Sequence, residues 1–112
     1  MKIITKWFIF LMLLPIFSMA QAGVSQGLVN AIIVHTPDIF MFQVGTGINN
    51  PPSCAIGTKQ WAISLSNPIG KNIMVLILSA QAQGKQVYVH GYTDTCRDWG
   101  DRELPSYVIL ID

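Results

Sequence analysis

Charged side chains are scarce in this chain, and the scarcity limits what the protein can bind. Only 12% of the 112 residues are charged, and the formal net charge is +1. Two of the lysines, Lys2 and Lys6, lie at the extreme N-terminus; beyond Ala22 five basic side chains stand against six acidic ones, a net charge of −1. Nucleic-acid binding needs a basic face that neutralises phosphates. The composition therefore argues against a nucleic-acid partner.

The chain also lacks an apolar run long enough to cross a membrane. The run "FIFLMLLPIFSM" has about 12 residues and is interrupted by Pro15, whereas a spanning helix needs roughly 20. It follows Lys2 and Lys6 and precedes the small-residue sequence Ala20–Gln21–Ala22. This is the layout of a secretory signal peptide, and no cysteine marks a lipoprotein site. We expect a signal peptide over residues 1–22, cleavage near Ala22, and a secreted or periplasmic single domain over residues 23–112 with no membrane span.

Cysteine is limited to Cys54 and Cys96. An even count in an exported chain favours a disulfide. The bridge would close a loop of about 43 residues and contribute about 4 kcal/mol by chain entropy. The alternative, a nucleophilic or metal-bound thiol, is less favoured because so short a domain has only a marginal core of its own.

Hydropathy patterns predict five strands and one helix. Apolar, alternating or β-branched stretches place strands near residues 27–35, 39–44, 61–66, 85–92 and 106–112. Helix signals flank residues 68–83: Ser66 or Asn67 as the cap, Pro68 in the first position, and Gly84 as the left-handed end.

The resulting order β-β-β-α-β-β is that of the OB-fold, a five-stranded Greek-key barrel. A ferredoxin-like domain needs a second helix, and an immunoglobulin-like sandwich needs about seven strands and no central helix. We therefore expect a mainly β, OB-type barrel.

The predicted helix is apolar nearly all round. One stripe is expected to cover the barrel, and it consists of Ile69, Ile73, Leu76, Ile77 and Ala80. Met74, Val75 and Leu78 fall on other faces. Such helices are usually buried on more than one side, so we expect a homo-oligomer or a partner chain on the outer face. A loop folded over the helix is the alternative.

These residues also carry a resemblance. The pattern "CA…WAISLSNPIGK…GKQVYVHG…C…WGDRE" resembles a family of small exported gamma-proteobacterial proteins of unassigned function, over most of Cys54–Tyr107. The positions in register are Trp61, Gly70–Lys71, Gly84–Lys85, Cys96 and Trp99–Gly100–Asp101. The chain departs from the pattern at "GYTDTC", where a tighter glycine turn is expected.

More distantly, the signal peptide, barrel, central helix and disulfide resemble the binding subunits of AB5 toxins, especially the subtilase-cytotoxin B subunit. That resemblance implies a pentamer whose helices line a pore, whose barrels bind cell-surface glycans, and whose partner is a toxin A-subunit-like chain. No sugar-contacting residue of that family matches a position here, so none is carried over.

Most of the polar chemistry is concentrated in "YTDTCRDWGDRE", Tyr92–Glu103. Asp98, Asp101 and Glu103 could supply the carboxylate pair that glycoside hydrolysis uses, but a 90-residue domain has little room for a deep cleft. No serine lies in a nucleophile elbow, and no nucleotide-binding glycine motif occurs. We expect no enzyme, with a small hydrolase as a lesser alternative.

The same acids are also oxygen donors of the kind that calcium prefers. Asp94, Asp98 and Asp101 do not follow the EF-hand spacing, and Arg97 and Arg102 lie close enough in sequence to pair with them. We therefore expect neither a metal nor another cofactor.

In an OB-fold this stretch joins strands four and five, and that connection commonly contacts oligosaccharides. Aromatic rings stack on the apolar face of a sugar while polar groups fix its hydroxyls. The candidate ligand-binding residues are Tyr92, Asp94, Arg97, Asp98, Trp99, Asp101 and Glu103. We expect a glycan-binding module. The alternatives are a periplasmic structural or protein-interaction domain, and a loop in which Trp99 only plugs the barrel end.

Overall fold

The computed structural model describes residues 22–93 and 95–112. The predicted signal peptide therefore lies outside the described residues apart from Ala22, and so does the candidate Asp94. Within the described part, the elements are β1 (Val24–His35), β2 (Ile39–Val44), a 3₁₀ turn (Ser53–Ala55), β3 (Gln60–Ser64), α1 (Gly70–Gln83), β4 (Gln86–Gly91) and β5 (Pro105–Leu110). The predicted order of elements is confirmed, and the described part of the chain is mainly β with one helix.

The long strand β1 holds the sheet together by pairing on both of its edges. Its first half, Val24–Leu28, pairs with β4, and the stretch from Val29 to His35 pairs with β2. The register shifts between Val29 and Ala31, where the strand passes from one partner to the other. Two antiparallel three-stranded sheets thus share β1, in the order β3-β2-β1-β4-β5.

The edge strands β3 and β5 approach each other without forming a ladder. Trp61 and Glu103 make one isolated parallel bridge, and the Ala62 N–H donates to the Glu103 carbonyl at 3.1 Å. In the described residues the sheet is consequently not a closed barrel, and only the coarser prediction of a mainly β fold is confirmed.

The apolar core lies between the inner faces of these sheets and α1. Its largest buried side chains are Phe40, Phe42, Val44, Trp61, Ile63, Ile77, Val87, Val89 and Leu104. The indole N–H of Trp61 donates to the Ser25 hydroxyl at 2.9 Å, and Ser25 donates to the Gly47 carbonyl at 2.8 Å. This relay gives the buried tryptophan the polar partner that its N–H requires.

The helix begins two residues later than the sequence predicted. Its N-cap is Ile69, without a side-chain cap, whereas Asn67 accepts the Ile69 N–H at 3.3 Å in the preceding turn. The predictions that Ser66 or Asn67 caps the helix and that Pro68 opens it are therefore wrong. The reason is tertiary: a Cβ on Gly70 would lie 2.1 Å from the Ser64 carbonyl oxygen, so α1 starts where a glycine can meet β3.

The C-terminal end of α1 follows the prediction. Gly84 is left-handed, with φ 64° and ψ 27°, and its N–H contacts the last carbonyls of the helix. Glycine reaches this conformation without the steric penalty that a Cβ brings.

The two sides of α1 divide only in part as predicted, because Met74, which was predicted to lie on another face, packs against the core. Ile73, Ile77 and Ala80 are buried, whereas Val75 and Leu78 remain 63% and 42% exposed. Ile69 was predicted to be in the covered stripe but is exposed, because it precedes the first turn. No helix in residues 22–93 and 95–112 has the length and apolar character needed to cross a membrane.

Candidate functional site

The connection from Tyr92 to Leu104 between β4 and β5 is fixed to the rest of the protein by a disulfide. Cys96 is bonded to Cys54 in the 3₁₀ turn, with their Cα atoms 6.1 Å apart. This confirms the predicted pairing. The bridge joins the connection to the segment that precedes β3, so the loop lies against the sheet.

Asp98 is a second attachment point on β3. Its carboxylate accepts the Ser64 N–H at 2.8 Å, and its side chain is only 11% exposed. Arg97 lies beside it, with Nε 3.6 Å from the carboxylate. Asp98 therefore positions the loop on the last residue of β3, and little of its surface is open to a ligand.

The β1–β2 turn meets the β4–β5 connection through two aromatic rings. The His35 and Trp99 rings stand 4.6 Å apart in an edge-to-face arrangement. Trp99 is half-buried because it also packs on Ile39, Met41 and Ala62. One side of Trp99 thus belongs to a small apolar cluster, and its other side contacts His35 and so joins the two loops.

A network of hydroxyl groups surrounds Asp38 in the same region. The Ser64 hydroxyl donates to the Asp38 carboxylate at 2.8 Å and lies 2.6 Å from the Ser66 hydroxyl. Hydrogen bonding, first from Ser64 and then from Ser66, lowers the pKa of Asp38 below its ordinary 3.8. Asp38 is therefore an anion at neutral pH, held between the β1–β2 turn and the end of β3.

Tyr92 and Arg97 contact each other on the exposed surface of the connection. The guanidinium carbon of Arg97 lies 5.6 Å from the Tyr92 ring centroid, within the range of a cation–π contact. Tyr92 is 50% exposed, and the Arg97 side chain is 60% exposed. Both of these predicted candidates are therefore accessible to a partner.

The remaining predicted candidates lie elsewhere. Asp101 is exposed and pairs with Arg102, which also donates to Gln60 at 3.2 Å. Glu103 is fully buried, and its carboxylate accepts the Gly23 N–H at 2.6 Å. A ligand at the surface reaches Asp101 but not Glu103.

The sequence-based candidates omitted four residues that contact the β4–β5 connection or lie next to those contacts. They are His35, Asp38, Ser64 and Ser66. One signal in the sequence could have pointed to this region. In an OB-type order of elements the β1–β2 loop lies beside the β4–β5 loop, so residues of both loops are expected at one site. Identifying the individual residues required the register of β2 on β3, which pairs Ile39 with Ser64 and so brings the turn to the end of β3.

A second aromatic surface lies on the outer face of β4 and β5. His90 and Tyr107 stack with centroids 5.1 Å apart and planes 4° from parallel, and Tyr88 lies 6.3 Å from Tyr107. His90 also contacts the Gly91 carbonyl at 2.8 Å through Nδ1. Neighbouring Ile109 is 50% exposed, so this face combines rings with exposed aliphatic surface.

Together the two loops offer aromatic faces, a cation, an anion and hydroxyl groups, which are groups that bind a polar ligand. Among residues 22–93 and 95–112 there is no group of three or more His, Cys, Asp or Glu side chains arranged to hold a metal ion. Comparison of the chain with family models, with curated proteins and with solved structures finds no match.

Proposed function

We propose that this protein is an exported, non-enzymatic module that binds glycans at the junction of the β1–β2 turn and the β4–β5 connection. The observation that carries the proposal is the meeting of these two segments at His35 and Trp99. The same β4–β5 connection also holds the exposed pair Tyr92 and Arg97. These four residues form the loop-junction site.

The proposed architecture is an OB-type barrel. Its support is the pairing of β1 with both β2 and β4, together with the hydrogen bond from Ala62 of β3 to Glu103, which lies just before β5. In barrels of this type the corresponding two loops commonly contact oligosaccharides.

The chemistry of the loop-junction site suits a sugar. Tyr92 presents an exposed ring for the apolar face of a pyranose, and Arg97 supplies donors for its hydroxyl groups or for an acidic substituent. The anionic Asp38, with Ser66 nearby, adds acceptors on the side of the β1–β2 turn. Binding without catalysis is supported by Asp98 and Glu103, since both carboxylates are engaged with backbone N–H groups.

Export is part of the proposal. The Cys54–Cys96 disulfide is compatible with an oxidising compartment, and the first 22 residues have the layout of a signal peptide. The proposed location is therefore the periplasm or the medium.

The decisive experiment is glycan-array screening of the exported, disulfide-bonded protein, followed by variants. Tyr92→Ala and Arg97→Ala should each reduce affinity at least about tenfold for any glycan that binds, the size of effect expected when a central interface contact is truncated. Tyr107→Ala is the matched control, because it removes an equally exposed tyrosine ring from the outer face of β5.

A silent array across sialylated and neutral glycans would refute the proposal. Binding that is lost in Tyr107→Ala and retained in Tyr92→Ala would keep glycan binding but move it to the outer face of β4 and β5.

We also propose that the protein is a homo-oligomer, a pentamer by resemblance to AB5 toxin B subunits, with an A-subunit-like chain as a further partner. The supporting feature is the outer side of α1, where Val75 and Leu78 stay exposed.

The double variant Val75→Ser with Leu78→Ser should convert the assembly to monomers, as measured by light scattering. Gln81→Ser, which removes no apolar surface from the same helix, should not. A monomeric mass for the unmodified protein at micromolar concentrations would contradict this assembly.

The outer face of β4 and β5 favours one competing function, a protein-interaction domain without a small ligand. Leu28, Tyr107 and Ile109 are each about half exposed, which is the kind of surface that a protein partner covers. This function predicts a silent glycan array, and binding to a protein partner that Tyr107→Ala weakens and Tyr92→Ala does not.

A further inference from the structure

The backbone nitrogen of Gly23 lies against a buried carboxylate. It donates to Glu103 Oε2 at 2.6 Å, although the two residues are 80 positions apart. Glu103 is fully buried, and Gly23 is buried with it. This contact is close to the short limit for an N–H donor and an ionised acceptor.

Two glycines form the walls of the pocket that holds this carboxylate. A Cβ on Gly23 would lie 2.2 Å from Glu103 Oε1, and one on Gly91 would lie 1.8 Å from Oε2. A side chain at either position would therefore have to displace the carboxylate.

The backbone around Gly23 is held on both sides. Its carbonyl accepts the Gly91 N–H at 2.9 Å, and the next residue, Val24, exchanges hydrogen bonds with Asn49 at 3.0 and 2.8 Å. The nitrogen of Gly23 is thus fixed in place by the two segments that flank the pocket, β4 and the loop after β2.

We propose that cleavage of the Ala22–Gly23 bond by a signal peptidase creates an amino terminus that binds, as a cation, to the Glu103 carboxylate. Water adds across the peptide bond, leaving a carboxylate on Ala22 and an amino group on Gly23 that takes up a proton. The sequence places the cleavage after Ala-Gln-Ala, and the structure independently places the nitrogen of the next residue at a buried acid.

The physical consequence is a change in the donor that faces Glu103. Before cleavage the donor is a neutral amide; afterwards it is an ammonium group with a full charge and further N–H donors. A buried carboxylate is costly unless it is paired and hydrogen-bonded, so the ammonium stabilises it more than the amide does. Processing therefore tightens the junction of β1, β4 and the end of the β4–β5 connection. The inference does not depend on what the protein binds.

The first test uses the full chain, exported and processed by a bacterial host. Intact mass should show a protein that begins at Gly23. That protein contains three lysines, Lys59, Lys71 and Lys85, besides its α-amino group. Acylation with an amine-reactive ester should modify three groups in the native protein and four after unfolding. A different first residue, or four rapid modifications in the native state, would overturn the proposal.

The second test compares the thermal stability of four disulfide-bonded proteins. Two begin at Gly23 and two keep Ala22 in front of it, and within each pair one protein has Glu103 and the other has Glu103→Gln. With Glu103, retaining Ala22 should lower Tm by about 5 °C or more. With Glu103→Gln, the retained residue should change Tm little, because the charge that the ammonium pairs with is gone. If retaining Ala22 changed Tm equally in the Glu103 and the Glu103→Gln proteins, the pairing of the amino terminus with Glu103 would be refuted. If Glu103→Gln fails to fold, the acylation count alone decides.

Discussion

Ser64 shows how one small side chain at the end of a strand organises the region. Its hydroxyl donates to Asp38, and its backbone N–H donates to Asp98. The β1–β2 turn and the β4–β5 connection are thereby attached to the same residue of β3. These polar contacts act together with the Cys54–Cys96 disulfide and the packing of Trp99 to position the two loops.

The lowered pKa of Asp38 makes part of the stability dependent on pH. A carboxyl whose pKa is depressed in the folded state stabilises the protein above its unfolded pKa, here about 3.8, and that contribution is lost as pH falls through the lower folded value. Asp38→Asn should therefore reduce Tm at pH 6, and the difference from the unmodified protein should shrink below about pH 3.8.

Thermal unfolding followed by circular dichroism from pH 2.5 to pH 7 measures this difference. Gln81→Ala, a non-titrating change at an exposed position of α1, serves as the control, and its effect should stay constant across the range. A difference for Asp38→Asn that does not vary with pH would show that the carboxyl contributes no charge-dependent stability.

At the scale of elements, α1 begins and ends at glycines that have different functions. Gly84 ends the helix in a left-handed conformation that the sequence pattern anticipates. Gly70 has a different function, because its missing side chain lets the helix approach the Ser64 carbonyl. The pattern of capping residues does not reveal such a contact, since it concerns packing rather than local conformation.

Gly70→Ala should destabilise the protein even though alanine is the better helix former by about 1 kcal/mol. The added methyl would meet a backbone oxygen, which cannot move aside as a flexible side chain does. We expect a loss of about 1–3 kcal/mol, the usual cost of overpacking, in urea unfolding.

Asn72→Ala provides the control, because Asn72 is exposed in the first turn of the same helix and should respond only to helix propensity. If Gly70→Ala were as stable as Asn72→Ala, the close approach of α1 to β3 would not be a constraint.

At the scale of the whole molecule, the disulfide joins two loops that secondary structure leaves apart. Replacing Cys54 and Cys96 together by serine should lower the free energy of unfolding by about 4 kcal/mol, since the unfolded chain loses a long-range constraint. Urea unfolding of the oxidised protein, the reduced protein and the double variant measures this. Reduced protein and double variant should agree. A loss below about 1 kcal/mol would mean that the folded loops hold themselves without the bridge.

Sequence-based prediction succeeds where a feature depends on neighbouring residues and fails where it depends on distant ones. The strand at residues 39–44 is found at its predicted bounds, because a mainly apolar run between a turn and a glycine is a local signal. By contrast, β1 begins at Val24 rather than Gly27, since its first residues gain hydrogen bonds only when they meet β4. The candidate Glu103 was predicted to face a ligand and is buried instead.

The sequence by itself determined the order of the elements, the disulfide partners and the two-sided apolar character of α1. These depend on hydrophobic periodicity, turn residues and a count of two cysteines, which are local or combinatorial properties. Only the tertiary structure decided which polar residues of the β4–β5 connection stay accessible. Arg97 remains in solvent, whereas Asp98 is bound to Ser64 and Glu103 to Gly23. Those contacts link positions far apart in the chain, and strand register, rather than residue type, brings them together.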